Sequence, residues 1–378
     1  MAEMLVAQRR DQLLSELKAS GGLKVVDLAA RLGVSRATVR RDLLDLEAEG
    51  RLSRVRGGAV VTASRGATAA ETDDEPGGAT GGARIGPPPP ERTLGLLVPS
   101  ATYYYPRVVA GVQAVAAERG ARAVISLSDY AQGDEAERIE GLRASGASGL
   151  LVASAAGHEL PAETQGLLEA TGLPFLLMER QPSDPFASCE FVVSDHRQGA
   201  FAAAGHLAGL GHRAVALFTN GSPTADQVRD GHRAAVERLA LAPDAPFHDS
   251  GRPTMGSTEA AEHYERFIEA CLASGTRAAL VHSDHDAIEL MRRLRVRGLR
   301  TPDDMALIAY DDEIASLADV PLTAVAPPKQ QLGEQAARLL LDRIDAPDPA
   351  AVPVRQLFLQ PRLVVRSSCG AQTAHRGD

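Results

Sequence analysis

The apolar residues of this chain recur with two different spacings. Over residues 28–46 they follow the 3.6-residue period of helices. Val39, Leu43 and Leu46 there form a stripe that faces a core. From Thr93 onward, short apolar runs alternate with longer helical patterns. The chain therefore predicts a small N-terminal helical part and a larger α/β part.

The N-terminal pattern predicts two helices joined by a tight turn and followed by a β-hairpin. Gly33 supplies the turn, and Ser35 stands where the second helix needs an N-cap. The hairpin is predicted from two short runs, residues 52–56 and 59–61, around Gly57 and Gly58. This combination is typical of a winged helix-turn-helix, whose second helix enters the major groove of DNA.

The candidate DNA contacts lie away from the apolar stripe or on the basic hairpin. On the second helix they are Ser35, Arg36, Ala37, Thr38, Arg40 and Arg41, and on the hairpin they are Arg54 and Arg56. Residues near the N-terminal end of such a helix reach base edges, whereas hairpin arginines suit phosphates or the minor groove. The plainer alternative is an amphipathic helical hairpin with a solvated basic face.

The segment 26–58, VDLAARLGVSRATVRRDLLDLEAEGRLSRVRGG, resembles the N-terminal domain of the DeoR family. The resemblance covers about residues 5–60. The one departure is Arg56, where the family usually has His. The resemblance implies binding to double-stranded operator DNA.

The distribution of charge along the chain indicates which part contacts DNA. The chain has 378 residues and a net charge of −9. Its first 60 residues hold 11 basic and 8 acidic side chains, and the remainder holds 29 and 41. The N-terminal part can therefore face phosphates, while the acidic remainder limits non-specific adhesion to DNA.

Residues 62–92 carry no apolar period and are rich in Gly, Pro, Ala and Thr. A core cannot be built from such a composition, so we expect a disordered tether. We therefore expect a DNA-binding domain over 1–61, this linker over 62–92, a ligand-sensing domain over 93–370 and a flexible tail over 371–378.

The larger part alternates strand and helix patterns, which predicts an α/β fold of two doubly wound parallel sheets. The predicted strands are 93–99, 122–127, 149–154, 174–179, 190–195, 213–218, 277–283 and 305–311. The predicted helices are 106–119, 195–210, 226–239, 257–273 and 285–297. Ligands of such folds bind beyond the carboxyl ends of the strands.

Three segments of this part, in order, resemble the sensor domain of the LacI/GalR repressors, itself similar to periplasmic sugar-binding proteins. The segments are LGLLVPSATYYYPRVVAGVQAVAAERG, GHLAGLGHRAVALF and PDDMALIAYDDEIASLADVPLTAV followed by LGEQAARLLLDRI. The resemblance implies one lobe over about 93–193 plus 324–350, another over 194–320 plus the final strand, and three crossings between them. It also implies a small-molecule effector, such as a sugar. We expect a homodimer, which would place two DNA-binding domains on a pseudo-palindromic operator.

The same resemblance places candidate effector contacts at the ends of the strands. They are Tyr104, Tyr105, Arg180, Asp195, Ser283, Asp284 and Asp311. Asp195 has an alternative role as the cap of the helix that follows it. Two departures from the family pattern are Val228, where an Arg is usual, and Pro327, where a Gln is common.

Other chemistry is weakly indicated. His285 and Glu289 have the i, i+4 spacing of metal ligands, but His282 belongs to the preceding strand and no third ligand is evident nearby. The acidic residues 311–313 have no phosphate-binding loop beside them. Neither a cofactor motif nor a catalytic constellation is present, so we expect no enzyme, metal or cofactor. The three cysteines, spread over the chain, indicate neither disulfides nor zinc.

The sequence thus predicts a cytoplasmic, ligand-responsive transcription regulator, a repressor of carbohydrate-utilisation genes. A ligand-blind dimeric regulator and a sugar-binding transport protein are the alternatives. The transport protein needs an export signal, and the first ten residues do not resemble one. We also expect no membrane-spanning segment, because no long apolar run is present.

Overall fold

The computed structural model describes residues 23–24, 52–55, 58–61, 92–128 and 134–371. The chain divides into two units, residues 1–84 and 85–378. Among the described residues, no helix is both long and apolar enough to cross a membrane.

The first unit contains a three-stranded antiparallel sheet in the order β1-β3-β2. Its strands are β1 (Leu23–Lys24), β2 (Leu52–Val55) and β3 (Gly58–Val61). Val55 pairs with Gly58 at one end of the β2–β3 pairing. The hairpin predicted from the sequence is confirmed, whereas the pairing of β1 with β3 was not predicted.

The second unit alternates strands and helices along most of its length. Its strands are β4 (Arg92–Val98), β5 (Ala121–Leu127), β6 (Gly149–Val152), β7 (Glu159–Leu160), β8 (Phe175–Met178), β9 (Gln181–Pro182), β10 (Phe191–Ser194), β11 (Ala216–Thr219), β12 (Phe247–Asp249), β13 (Ala278–Val281), β14 (Ala306–Tyr310), β15 (Thr323–Ala326), β16 (Gln356–Leu359) and β17 (Arg362–Val364). Its helices are α1 (Tyr105–Glu118), α2 (Glu135–Ala144), α3 (Ala162–Ala170), α4 (His196–Gly209), α5 (Ala225–Arg238), α6 (Thr258–Ser274), α7 (Asp284–Val296) and α8 (Lys329–Asp345).

Two six-stranded sheets organise this unit into two lobes. The first lobe is built on a parallel sheet in the order β16-β10-β8-β6-β4-β5 and carries α1, α2, α3 and α8. The second lobe is built on the order β12-β11-β13-β14-β15-β17, in which β17 alone is antiparallel, and carries α4 to α7. The fold is therefore α/β with doubly wound parallel sheets, as the sequence predicts.

The chain passes between the lobes three times, after β10, after β15 and after β16. The number of crossings is as predicted, but two boundaries were wrong. β15 belongs to the second lobe, because it pairs with β14 and β17, although we expected residues from 324 onward in the first lobe. β16 completes the first lobe by pairing with β10. Pairing partners decide these assignments, and a short apolar strand does not specify its partner.

All eight predicted strands and all five predicted helices of the second unit form, within a few residues of the expected bounds. β4 forms because its alternate residues pack on both sheet faces: Leu94, Leu96 and Val98 in one apolar cluster and Leu97 in another. A strand covered on both faces is almost entirely apolar, which makes it easy to recognise. The three cysteines are unpaired and buried.

Helices α1 and α8 cross in close backbone contact. A Cβ added at Gly333 would lie 2.0 Å from the carbonyl oxygen of Val108, and one added at Gly111 would lie 2.1 Å from that of Gln330. Real Cβ atoms do not approach a carbonyl so closely, so the helices would have to separate. The two glycines therefore set the distance between α1 and α8.

We expect Gly333→Ala to destabilise the protein by about 1–3 kcal/mol, since the added methyl overpacks a backbone contact. Gly141→Ala on α2 is the matched control, because no atom lies within 4 Å of its added Cβ. That control should be neutral or stabilising, as alanine is the better helix former. Urea denaturation of both variants measures the difference, and equal stability would contradict the close crossing.

Candidate functional site

A cavity of about 540 Å³ lies where the carboxyl ends of the two sheets face each other. The first lobe contributes Tyr103, Tyr104, Tyr105, Glu179 and Arg180 to its walls. The second lobe contributes His196, Asn220, His282, Ser283, Asp286 and Asp311, among others. Residues from both lobes can therefore contact one ligand, in the place that doubly wound folds use for binding.

Tyrosine side chains form the wall after β4. The hydroxyl of Tyr103 donates to Oδ2 of Asp311 over 3.1 Å, so it bridges the lobes. The hydroxyl of Tyr104 donates to Oε1 of Glu179. Tyr104 precedes α1 with φ 63°, a left-handed conformation that is uncommon outside glycine. Tyr103 was missed by the sequence analysis, although it adjoins the two tyrosines that were predicted.

Glu179 is a buried carboxylate at the end of β8. Oε2 accepts the backbone N–H of Ser194 at 2.9 Å, and Oε1 accepts the Ser194 hydroxyl at 2.7 Å. Burial alone would raise the pKa of Glu179. His196, Tyr104 and the Ser194 amide outweigh that effect and lower it to about 2. Glu179 is therefore an anion held in place by donors from separate elements.

His196 opens α4 and lies between Glu179 and Tyr310. Its Nε2 is 3.5 Å from Oε2 of Glu179, and its Nδ1 is 3.1 Å from the Tyr310 hydroxyl. That hydroxyl donates its proton to the His196 carbonyl oxygen over 3.2 Å. Because a hydroxyl has one proton, Nδ1 must be the donor toward Tyr310. The ring therefore carries a proton at Nδ1 and presents Nε2 to the carboxylate.

Arg180 is buried beside this network, with 2 % of its surface exposed. Its Nε donates to the carbonyl oxygen of Ser154 at 2.6 Å, and one terminal nitrogen donates to that of Glu179 at 2.7 Å. These bonds to the main chain fix the guanidinium plane at the cavity wall. A guanidinium has five donors, so a fixed Arg180 can still donate to a ligand.

Asp311 lies at the end of β14, with φ 88° and 6 % exposure. Burial raises the pKa of its carboxyl, while the Lys329 ammonium and His196 act in the opposite direction. Lys329 Nζ donates to the Asp311 carbonyl oxygen. The predicted projection of Asp311 from the strand end into the cleft matches its position in the cavity wall.

The opposite wall is organised by Asp286. Its Oδ1 accepts the Tyr264 hydroxyl at 2.7 Å, and its Oδ2 accepts the Asn220 amide at 2.9 Å. The backbone N–H and hydroxyl of Ser283 also donate to Oδ2. Ser283, a predicted ligand contact, lines the cavity and caps α7 at the same time.

His282 adds a neutral ring to this wall. Burial lowers the pKa of His282 to about 4, so the ring is uncharged at neutral pH. Its Nδ1 is buried and has no partner among the described residues.

Two predicted contacts, Asp195 and Asp284, do not line the cavity. Oδ1 of Asp195 accepts the Gln198 amide at 2.9 Å, so Asp195 caps α4, the alternative role already considered. Asp284 is fully buried and accepts the amides of residues 312–314. Burial raises the pKa of Asp284 to about 6. It holds the turn that carries Asp311, because backbone amides take both of its oxygens.

The same turn ties the lobes together through Glu313. Arg107 of α1 lies 3.3 Å from Glu313, and Lys329 Nζ lies 2.6 Å from it. The Lys329 ammonium also lies 5.1 Å from the centroid of the Tyr104 ring. Lys329 is buried and contacts both lobes, yet the sequence analysis gave it no role. Its ion pair and its cation–π contact depend on a turn and a helix far apart in the chain.

The two departures from the family pattern lie away from this cavity. Val228 is fully buried in the apolar layer of the second lobe. Arg229 points elsewhere, as expected: it pairs with Asp226 at 2.7 Å and lies over the Phe247 ring. Pro327 stands between β15 and α8 and does not line the cavity.

The acidic and histidine clusters show no arrangement for a metal. Among the described residues, no group of three or more His, Cys, Asp or Glu side chains could hold a metal ion. Asp312 instead pairs with Arg366 at 2.7 Å, and Glu313 pairs with Lys329. These carboxylates therefore point toward different cations.

The candidate DNA contacts are almost all outside the described residues. Among them, only Arg54 lies on a described element, the strand β2. Ser35, Arg36, Ala37, Thr38, Arg40, Arg41 and Arg56 lie outside. Their roles stay predictions.

Two family models match the chain. A DeoR-like helix-turn-helix domain matches residues 9–65. A periplasmic binding protein-like domain matches residues 204–369.

Several known proteins are similar over most of the chain. The arabinose metabolism transcriptional repressor of Geobacillus stearothermophilus is 25 % identical over 348 residues, which cover 90 % of this chain and 89 % of that protein. The HTH-type transcriptional regulator CelR of Thermobifida fusca is 30 % identical over 272 residues, covering 70 % and 76 %. The structure of a LacI family transcriptional regulator from Enterococcus faecium with bound ribose superposes with a TM-score of 0.59 at 24 % identity, covering 73 % of this chain and 98 % of that one.

Proposed function

The chain belongs to the HTH-type transcriptional regulators that join a DeoR-like helix-turn-helix domain to a LacI-type sensor domain, and we propose that a neutral sugar in the sensor cleft controls operator binding. The observation that carries the proposal is that fixed groups of opposite charge line the same cavity. Arg180 supplies donors and Asp311 supplies acceptors. A sugar hydroxyl both donates and accepts, so a ring with several hydroxyls satisfies both groups.

The aromatic wall supports the same class of ligand. Tyrosine faces pack against the apolar face of a sugar ring, while the ring hydroxyls reach the polar groups around it. Tyr103 and Tyr104 are held by bonds to Asp311 and Glu179, so they are fixed before a ligand arrives. Preorganised groups of this kind lower the entropic cost of binding.

Repression of carbohydrate-utilisation genes is the role we assign to the protein. Its relatives are regulators, and an arabinose metabolism repressor is among them. The cavity is lined without Val228 and Pro327, so these departures do not favour a ligand-blind regulator. We propose that the protein is cytoplasmic, because bacterial operator DNA lies in the cytoplasm. We also propose that it is not an enzyme, because ligand binding alone explains why the cavity is present.

We propose the domain bounds expected from the sequence: 1–61 for DNA binding, 62–92 for the linker, 93–370 for the sensor and 371–378 for the tail. The division of the chain between residues 84 and 85 falls inside this linker, which supports the assignment. The helix-turn-helix model matches up to residue 65, close to the first bound.

For the DNA-binding domain, we propose the DNA contacts expected from the sequence on the second helix and the hairpin. Arg41→Ala should weaken operator binding by about 1–3 kcal/mol, because a base contact is lost. The position opposite the Val39, Leu43 and Leu46 stripe motivates this choice. A gel-shift titration at fixed salt measures the effect, with circular dichroism as the folding control. Unchanged affinity would contradict the assignment.

We propose that the protein is a homodimer, which would present two DNA-binding domains to a pseudo-palindromic operator. Sedimentation of the full chain at micromolar concentration should therefore give twice the mass of one chain. A monomer at that concentration, with intact operator binding, would contradict this proposal.

Thermal unfolding of the full chain with a panel of neutral sugars, sugar acids and sugar phosphates tests the effector. A bound ligand raises the midpoint as its concentration exceeds its dissociation constant. We expect a shift with a neutral sugar and a matching change in operator affinity. A response to the anionic compounds alone would overturn the proposed class.

A further inference from the structure

A single peptide group, the one that joins Ser154 to Ala155, lies between a buried carboxylate and a buried guanidinium. Its N–H, that of Ala155, donates to Oε1 of Glu135 over 2.6 Å. Its carbonyl oxygen, that of Ser154, accepts from Nε of Arg180 over 2.6 Å. We propose that Glu135 is the counter-charge of Arg180, acts on it through this peptide, and so determines the charge that the cavity presents to its effector. The proposal rests on the proposed function and adds a positioning residue to it.

Arg180 needs a counter-charge because it is a buried cation. Its hydrogen bonds go to the main-chain carbonyls of Ser154 and Glu179, and no ion pair joins it to a carboxylate of the described residues. A charge taken out of water is costly unless opposite charge or strong hydrogen bonds compensate for it. The peptide turns its negative end toward the guanidinium, and a carboxylate at the positive end polarises it further. Glu135 can therefore compensate Arg180 without touching it.

Glu135 is held in place behind the cavity wall rather than in it. The residue is buried and does not line the cavity. Its Oε2 accepts the Ser154 hydroxyl at 2.9 Å, so both carboxylate oxygens accept hydrogen bonds from the segment after β6. Glu135 is also the first residue of α2, where the helix dipole stabilises a negative charge. The carboxylate is thus fixed against the peptide, and the peptide is fixed against Arg180.

This arrangement has two consequences for the effector. Without the carboxylate, the peptide and the guanidinium plane lose a fixed orientation, which weakens the binding of a sugar that accepts from Arg180. Without the negative charge, the positive charge of Arg180 is also less compensated, which favours an anionic ligand over a neutral one. Glu135 should therefore favour neutral sugars over the corresponding sugar acids.

Calorimetry of the full chain with matched ligands tests the charge: D-glucose with D-glucuronate, and D-galactose with D-galacturonate. In Glu135→Gln we expect the affinity for the neutral sugar to fall about threefold or more, and the ratio of acid to sugar affinity to rise by a similar factor, as coupled neighbours show. Glu137→Gln removes an exposed charge from the same helix and should change neither. Ser154→Ala removes a hydrogen bond to Glu135 but no charge, so its ratio should stay at the wild-type value. An equal fall for sugar and acid in Glu135→Gln would mean that Glu135 only supports the fold, and it would overturn the counter-charge.

A double-mutant cycle by urea denaturation tests the same coupling without a ligand. Glu135→Gln and Arg180→Met should each lower the urea midpoint, because each leaves one buried charge without its counterpart. The double variant should lose less than the sum of the two losses. Additive losses would overturn the coupling. If no neutral sugar binds the wild-type chain, the proposed function fails instead, and this cycle still decides whether Glu135 compensates Arg180.

Discussion

Replacing Asp311 by alanine is expected to lower effector affinity about ten- to a hundredfold, while operator binding without effector persists. The carboxylate is buried in the cavity wall, and its Oδ2 accepts from Tyr103. A ligand hydroxyl that donates to it makes a charge-assisted bond in a site with little water, which strengthens the bond. Loss of that bond should leave DNA binding intact, because the helix-turn-helix is a separate domain.

Two further variants separate binding from structure. Asp311→Asn keeps the shape and an acceptor oxygen but removes the charge, so its affinity should fall between those of the wild type and the alanine variant. Asp195→Asn is the matched control, because Asp195 caps α4 and does not line the cavity. Calorimetry with the sugar identified by thermal unfolding provides the affinities. Wild-type affinity in Asp311→Ala would mean that the cleft is used differently.

Glu179→Gln is expected to destabilise the protein by about 1–3 kcal/mol at pH 7, the cost of leaving buried hydrogen-bond donors without an acceptor. The amide keeps the size of the side chain but leaves His196 without an anion at 3.5 Å. Its NH₂ group would also face the Ser194 amide or hydroxyl, which donate to the carboxylate. Urea denaturation at pH 7 gives the difference in unfolding free energy. Glu137→Gln, at an exposed position on α2, is the control for loss of one charge.

The same substitution, Glu179→Gln, should alter how the free energy of unfolding depends on pH under acidic conditions. The pKa of Glu179 is about 2 in the folded protein, below the value of about 4.3 for a glutamate in an unfolded chain. The unfolded state therefore takes up the proton first. The contribution of Glu179 is fully present above about pH 4.3 and is lost as the pH falls toward 2. In Glu179→Gln this part of the pH dependence should flatten, and an unchanged acid limb would contradict the buried-anion description.

A ligand can act on the DNA-binding domain only if it distinguishes two states of the sensor. The turn that carries Asp311 is placed to do this, because it contacts both the cavity and the first lobe. Glu313 reaches Arg107 and Lys329, and Asp284 holds the turn from the second lobe. Contacts of this turn therefore connect Asp311 to α1 and α8, the pair of helices that pack closely through Gly111 and Gly333.

Most elements of the sensor follow from local pattern. β4, β6 and β8 are short apolar runs covered on both faces, and α1 and α6 carry regular apolar stripes. β12 escaped prediction because it is a three-residue edge strand whose side chains are exposed or half-buried. β16 escaped for the same reason, since its side chains alternate between exposed and half-buried positions.

The candidate site was predicted where residues lie in the segments just after strands. Tyr104, Arg180 and Asp311 line the cavity because the carboxyl ends of parallel strands meet at one edge, a rule that sequence order alone can apply. The same rule misplaced Asp284. Asp284 does lie just after a strand, but backbone amides after β14 donate hydrogen bonds to both of its carboxylate oxygens.

By itself, the sequence determined the two-part organisation, the α/β class of the sensor and the strand ends that carry its polar groups. Local periodicity encodes each of these within a few residues. Only the tertiary structure decided which charges are partners. Glu179 meets Tyr104 before α1, Ser194 on β10 and His196 on α4, and Lys329 contacts Glu313 across the lobes. Whether a buried charge is stable depends on such partners, and their distances are set by how the sheets and helices pack rather than by any neighbouring residue.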